Sequence, residues 1–136
     1  KKSYVSLLQY TYVFSRRKNM QIRAQLNDRI LYMELCGEID QYAAAELKEA
    51  IDIEIENTPK KNLIFDLGEV TLMDSSGIGL IVGRYKLITS LGGKMALCGA
   101  SKSVSKMLKL SGIEKIIAGY QTLHEAEKSF TVEKGR

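Results

Sequence analysis

The chain has 136 residues, 45% of them apolar and 26% charged, with one proline and 11 glycines, the composition of a globular domain rather than of a disordered or low-complexity segment. A chain of this length buries about two-thirds of the surface its unfolded form exposes, enough for a core without disulfide or metal staples. The formal charge of +4 suggests an anionic partner, but five of the 20 basic residues (Lys1, Lys2, Arg16, Arg17, Lys18) lie in residues 1–19, which hold no acid, and the other 15 stand against 16 acids. From Met20 onward the chain is close to neutral and has no electrostatic footprint for nucleic acid, so no direct nucleic-acid partner is expected.

Residues 1–19 read as a leader or extension of uncertain origin, ahead of a single domain over residues 20–136. The stretch from Ser3 to Phe14 is fairly apolar but too short and too polar to span a bilayer. Its basic start resembles a signal peptide, yet three basic residues follow it where a small-residue cleavage site belongs. No membrane partner is expected. The alternating aromatics Tyr10, Tyr12 and Phe14 suit an added edge strand.

In the domain, Ile22, Ala24 and Leu26 alternate with Gln21, Arg23 and Gln25, the period of a half-buried strand. Asn27-Asp28 predicts a turn, and Ile30 to Cys36 a second strand paired with the first as a hairpin. Asp40 lies in the cap region of a helix from Tyr42 to Asn57, whose Ala44, Leu47, Ala50, Ile51 and Ile55 recur at the helical period. Thr58-Pro59-Lys60-Lys61 breaks it. Asn62 to Leu67 is an apolar run typical of a central strand, and Val70, Leu72 and Met73 continue the extended segment. A second helix follows from Ser75. Beyond Gly92-Gly93 come a strand from Lys94 to Cys98, a helix from Ser101 to Leu110 ending near Gly112, a short strand at Ile116-Ile117, and a final helix from Thr122 to Phe130. An opening hairpin followed by alternating strands and helices predicts an α/β domain with a mixed sheet.

The most informative stretch is Met73-Asp74-Ser75-Ser76-Gly77-Ile78-Gly79, a strand end, a polar turn and the start of an apolar helix with Leu80, Ile81, Val82 and Tyr85. Three roles fit it. Asp74, Ser75 and Ser76 suit the capping of orphan N–H groups at a helix start, with no further task. The glycines suggest a small nucleotide-binding module, but Gly77, Gly79 and Gly83 are spaced one residue too long for the dinucleotide fingerprint, and no acidic residue ends a second strand at the required distance. The third role uses the positive end of the helix, where a hydroxyl is displayed and an added anion is tolerated.

Three segments, in order, carry a resemblance: Cys36-Gly37-Glu38-Ile39-Asp40 before a helix; Asp74-Ser75-Ser76-Gly77-Ile78-Gly79 followed by Gly83-Arg84-Tyr85-Lys86; and Gly92-Gly93-Lys94-Met95 followed by Ser111-Gly112-Ile113-Glu114-Lys115-Ile116-Ile117. Together they resemble the anti-sigma factor antagonists of spore-forming bacteria, members of the STAS domain family, from Gln21 to Phe130 without an obvious gap. The resemblance implies one STAS-like domain, a mixed β-sheet with about four helices packed on it. It implies that Ser75 is phosphorylated by an anti-sigma factor with serine kinase activity. The unmodified form then binds that partner and releases the sigma factor, and a serine phosphatase resets the switch. Asp40, Gln41 and Tyr42, with Asp74, Ser76, Gly77 and Ile78, are the implied partner-binding residues; Asp40 matches the family's acidic residue, whereas Gln41 and Tyr42 depart from it. The expected physical effect of phosphate beside Asp74 is repulsion of an acidic partner surface and obstruction of close approach. A STAS subunit of another regulatory or transport assembly is the alternative within the same fold.

Other chemistry is thinly represented. Cys36 and Cys98 lie in apolar strands with no second Cys or His beside either, and are expected as buried thiols of a reducing cytoplasm. The sole histidine, His124, sits beside Glu125 and Glu127 and is expected on the surface, so no metal site is expected. No nucleophile, base and oxyanion donors can be assembled, and the nucleophile-elbow pattern is missing, so neither catalysis nor a cofactor is expected. Arg84 is expected as a solvated helix residue.

Overall fold

The structure, a computed structural model, describes residues 8–14, 20–27, 30–58 and 62–134. These form a six-stranded mixed sheet in the order β1-β2-β3-β4-β5-β6. β1 (Leu8–Phe14), β2 (Met20–Asn27) and β3 (Ile30–Ile39) are antiparallel neighbours, with Leu8 opposite Leu26 and Leu26 opposite Leu31. Part of the extension is therefore an edge strand. The predicted turn residue Asp28 and the breaker residues Pro59, Lys60 and Lys61 lie outside the described residues.

From β3 onward the pairing is parallel. β4 (Asn62–Met73), β5 (Met95–Cys98) and β6 (Ala118–Tyr120) each run alongside the preceding strand. The connections are α1 (Gln41–Glu56), α2 (Ser75–Ser90), and α3 (Lys102–Ser111) with a 3-10 turn at Ile113–Lys115; α4 (Leu123–Lys134) closes the described chain. Parallel strands need such crossovers, which is why helices alternate with strands only after the hairpin.

Helices cover the two faces unequally. Leu63, Phe65 and Leu67 of β4 share one cluster with Leu47 and Ile51 of α1, Leu80 and Ile81 of α2, and Val104 and Leu108 of α3. On the other face Ile64 joins Ile30, Tyr32, Ala96 and Cys98 beneath Leu123, Ala126 and Phe130 of α4. Tyr32 anchors this cover by donating its hydroxyl to Glu127 Oε2 at 2.7 Å. The first half of β4 is thus buried on both sides, and each of its large apolar side chains contributes about 1.5–3 kcal/mol of transfer free energy.

β4 runs as one strand to Met73, as the extended segment predicts, because β3 accompanies it to the pair Ile39–Met73 while β5 pairs only Leu63 to Asp66. One element differs from the sequence pattern. The last strand is not the apolar doublet Ile116-Ile117: these residues follow the 3-10 turn, where Ile117 is buried and Ile116 exposed, and β6 begins at Ala118.

Candidate functional site

The two longest parallel strands end together, and each feeds a helix through an aspartate. Asp40 and Asp74 have nearly the same extended backbone, φ −106 and ψ −173 against φ −103 and ψ −168. Asp40 Oδ1 accepts the N–H groups of Tyr42 at 3.1 Å and Ala43 at 2.9 Å. Asp74 Oδ1 accepts Ser76 N–H at 2.8 Å. The two turns are joined where Asp74 N–H donates to Ile39 O at 3.2 Å. Candidate residues more than thirty positions apart in sequence thus meet at one end of the sheet.

Around this joint the residues differ in exposure. Ser75 is exposed at the first helical position of α2, whereas Ser76 is half-buried with its N–H bound to the cap. Gln41 and Tyr42 are exposed at the start of α1, Tyr42 to 55%. Asp40 and Ile78 are half-buried, and Ile78 packs against the main core. Gly77, expected among the partner-binding residues, is instead buried in the interior: a Cβ there would lie 2.3 Å from Met73 Cγ and 3.2 Å from Ile39 Cγ2. It is a contact between helix and sheet, not a cradle for phosphate. Cβ atoms at Gly79 and Gly83 would meet nothing within 4 Å, so close packing explains only the first glycine of the series.

Arg84 is also placed otherwise than its charge suggested. It is 7% exposed, and its Nε lies 2.9 Å from Asp52 Oδ1 on α1. The ion pair lacks the alignment of a directed hydrogen bond, so it is held chiefly by Coulombic attraction. Lys48 Nζ approaches the other carboxylate oxygen of Asp52 at 3.2 Å. Sequence gives no cue to this arrangement, because the partner lies on another helix.

Other titratable groups fit structural roles. Burial pushes the Cys36 thiol up, and pushes that of Cys98 up to about 12, with nearby Asp66 adding to the effect. Both are inert thiols at neutral pH. His124 is exposed. Arg23 and Glu34 form an ion pair across β2 and β3 on the sheet face that α4 leaves open. Among the described residues no group of His, Cys, Asp and Glu is arranged to hold a metal ion, and no helix is long and apolar enough to cross a membrane.

A strand–aspartate–helix device repeated on adjacent parallel strands, with an exposed serine at one helix start, can be compared with known proteins. Residues 21–126 match the sequence profile of the STAS domain. The chain belongs to the STAS domain family. Among its relatives, the anti-sigma F factor antagonist of Paenibacillus polymyxa is 35% identical over 102 residues, 75% of this chain and 87% of that protein. The anti-sigma-B factor antagonist of Bacillus subtilis is 29% identical over 99 residues, 73% of this chain and 89% of that protein. Among solved structures, the Bacillus anti-sigma factor antagonist SpoIIAA superposes in its unphosphorylated form with a TM-score of 0.70 at 24% identity, covering 81% of this chain and 96% of that one. Its phosphorylated form gives a TM-score of 0.63 at 24% identity over 80% and 98%. The superposition shows that the STAS fold is shared, with its mixed sheet and four helices.

Proposed function

We propose that this STAS protein is an anti-sigma factor antagonist switched by phosphorylation of Ser75. The observation that carries the reading is the exposed hydroxyl of Ser75 at the first position of α2, beside the turn that bears Asp40, Gln41 and Tyr42. In the unmodified state the end of the sheet docks on an anti-sigma factor, which gives up its sigma factor. The anti-sigma factor is also the kinase. Ser75 Oγ attacks the γ-phosphorus of ATP, an O–P bond forms, the β–γ bridging bond breaks, ADP leaves, and the hydroxyl proton passes to a base on the kinase. A serine phosphatase hydrolyses the ester and restores docking. The chain is the substrate of this chemistry and not its catalyst.

The fold tolerates the modification. Phosphate adds about −1.5 to −2 charges at pH 7. The N-terminus of α2 offsets part of that charge by about 0.3–1 kcal/mol, and the exposed position leaves room for the group. Ser76, half-buried and tied to the cap, is the poorer acceptor.

The test uses purified anti-sigma F and anti-sigma B factors, the partners named for the relatives, with ATP. The expected result is a mass gain of one phosphate, mapped to Ser75, and loss of binding by Ser75→Asp. Absence of phosphate on Ser75 with both kinases overturns the reading, as does a folded Ser75→Asp that binds like the parent.

A further inference from the structure

Charge is divided unevenly along the domain. Residues 20–74 hold 12 acids against five basic residues, whereas residues 75–113 hold six basic residues and no acid. Arg84 is paired with Asp52 inside the fold. Lys102, Lys106 and Lys109 are exposed on α3, as is Lys115 just beyond it, and among the described residues none of the four has an ion-pair partner. Val104 and Leu108 are the buried residues of α3. At the helical period the three lysines of α3 fall in one stripe on the side opposite them, about 10 Å from first to last at 1.5 Å per residue.

Two apolar side chains stand in the same segment with no core to explain them. Leu110 is 77% exposed, more than any other large apolar residue among those described, and Ile116 is 52% exposed. Each directly follows a lysine, Lys109 and Lys115. Ile116 is held outward by its surroundings: Ile113 and Ile117 on either side are buried in the main core, and Lys115 N–H donates to Gly112 O at 3.0 Å. Glu114 is the one acid in residues 75–116.

Composition selects among anionic partners. Protein interfaces are enriched in Tyr, Trp and Arg and depleted in Lys. Nucleic-acid surfaces use Arg at base edges and aromatic side chains as stacking platforms. Residues 86–119 contain no arginine and no aromatic residue. Lysines beside aliphatic side chains suit an anionic bilayer, where ammonium groups meet the headgroups and aliphatic groups enter the acyl boundary.

We infer that the outer side of α3 and the turn after it rest on an anionic phospholipid surface. Lys102, Lys106, Lys109 and Lys115 lie at the headgroups, and Leu110 and Ile116 reach below them. No described helix is long and apolar enough to cross a membrane, but lying on one requires only this charge and apolar contact. With two inserted side chains the attachment is weak and reversible. Ser75 is carried elsewhere, on β4, which runs seven residues past Asp66, its last pair with the strand that leads to α3. The inference does not rest on the proposed function.

The test is co-sedimentation of the full chain with vesicles of phosphatidylglycerol and phosphatidylcholine in equal parts, and with vesicles of phosphatidylcholine alone. Binding is expected to the first only, and to fade as salt is raised. Reversing three charges together, Lys102→Glu, Lys106→Glu and Lys109→Glu, is expected to weaken it by about a hundredfold or more, at about fivefold for each charge removed. Arginine at the same three positions should keep it. Leu110→Ser with Ile116→Ser is expected to weaken it by about tenfold. Parental binding by the charge-reversed chain overturns the inference and assigns the affinity to the basic residues of positions 1–19. Parental binding by the serine pair also overturns it, since charge alone would then hold the chain. So does a failure to bind the anionic vesicles, or a dimer in solution that the charge reversal dissociates, which would give this face to a second copy. Each of these outcomes leaves the proposed function standing.

Discussion

At the start of α1 the chain runs Ile39-Asp40-Gln41-Tyr42-Ala43, and at the start of α2 it runs Met73-Asp74-Ser75-Ser76-Gly77. Both leave a parallel strand, both turn at an extended aspartate, and both bury the third residue of the helix. The difference lies in that third residue. Ala43 keeps its methyl at 0% exposure, whereas at Gly77 the same methyl would collide with Met73. The aspartate fixes where each helix begins, and the third residue fixes how deep. α2 therefore starts closer to the sheet than α1, with small hydroxyls displayed where α1 displays an amide and a phenol.

The largest expected effect comes from filling the tighter position. Gly77→Val is expected to lose about 2–3 kcal/mol in urea denaturation through overpacking, while Ala43→Gly loses about 1 kcal/mol from backbone entropy. Gly77→Ala should fall well below the valine variant, since Met73 is flexible and alanine recovers about 1 kcal/mol of helix propensity. Equal urea midpoints for Gly77→Val and the parent would remove the argument from depth.

The shared device is probed next. Asp40→Ala and Asp74→Ala are each expected to cost about 1 kcal/mol, with Asp40 the more costly because it accepts two N–H groups rather than one, and Asn at either place should restore most of the loss. An unchanged melting curve for both alanine variants would show that the aspartates are not caps. The smallest effect is expected at the proposed phosphoacceptor. Ser75→Ala is expected to leave stability within about 0.5 kcal/mol, since its side chain is exposed, while removing the hydroxyl that the proposed switch modifies. A large stability loss would give that hydroxyl a structural role.

Much of this was legible in sequence because the deciding interactions are local. Alternating Ile22, Ala24 and Leu26 and the apolar run Leu63 to Phe65 announce strands, and Asp40, Asp74 and Ser101 announce caps, all of which hold side-chain-to-backbone bonds within their own turns. What was hidden depends on distant partners. Arg84 looks like a solvated helix residue until Asp52 of another helix is placed beside it. Gly77 looks like part of a surface motif until Met73 is seen against it. Ile116-Ile117 has strand composition, but its 3-10 neighbour turns one isoleucine inward and the other outward.

The pairing of Arg84 with Asp52 has a consequence for how a message leaves this molecule. The ion pair links α1 to α2, so tilting either helix away from the other would leave the buried Arg84 charge without its partner. In the proposed switch, a phosphoryl group at the tip of α2 would then be read where it stands, by what it presents to the partner and not by a movement of the helix.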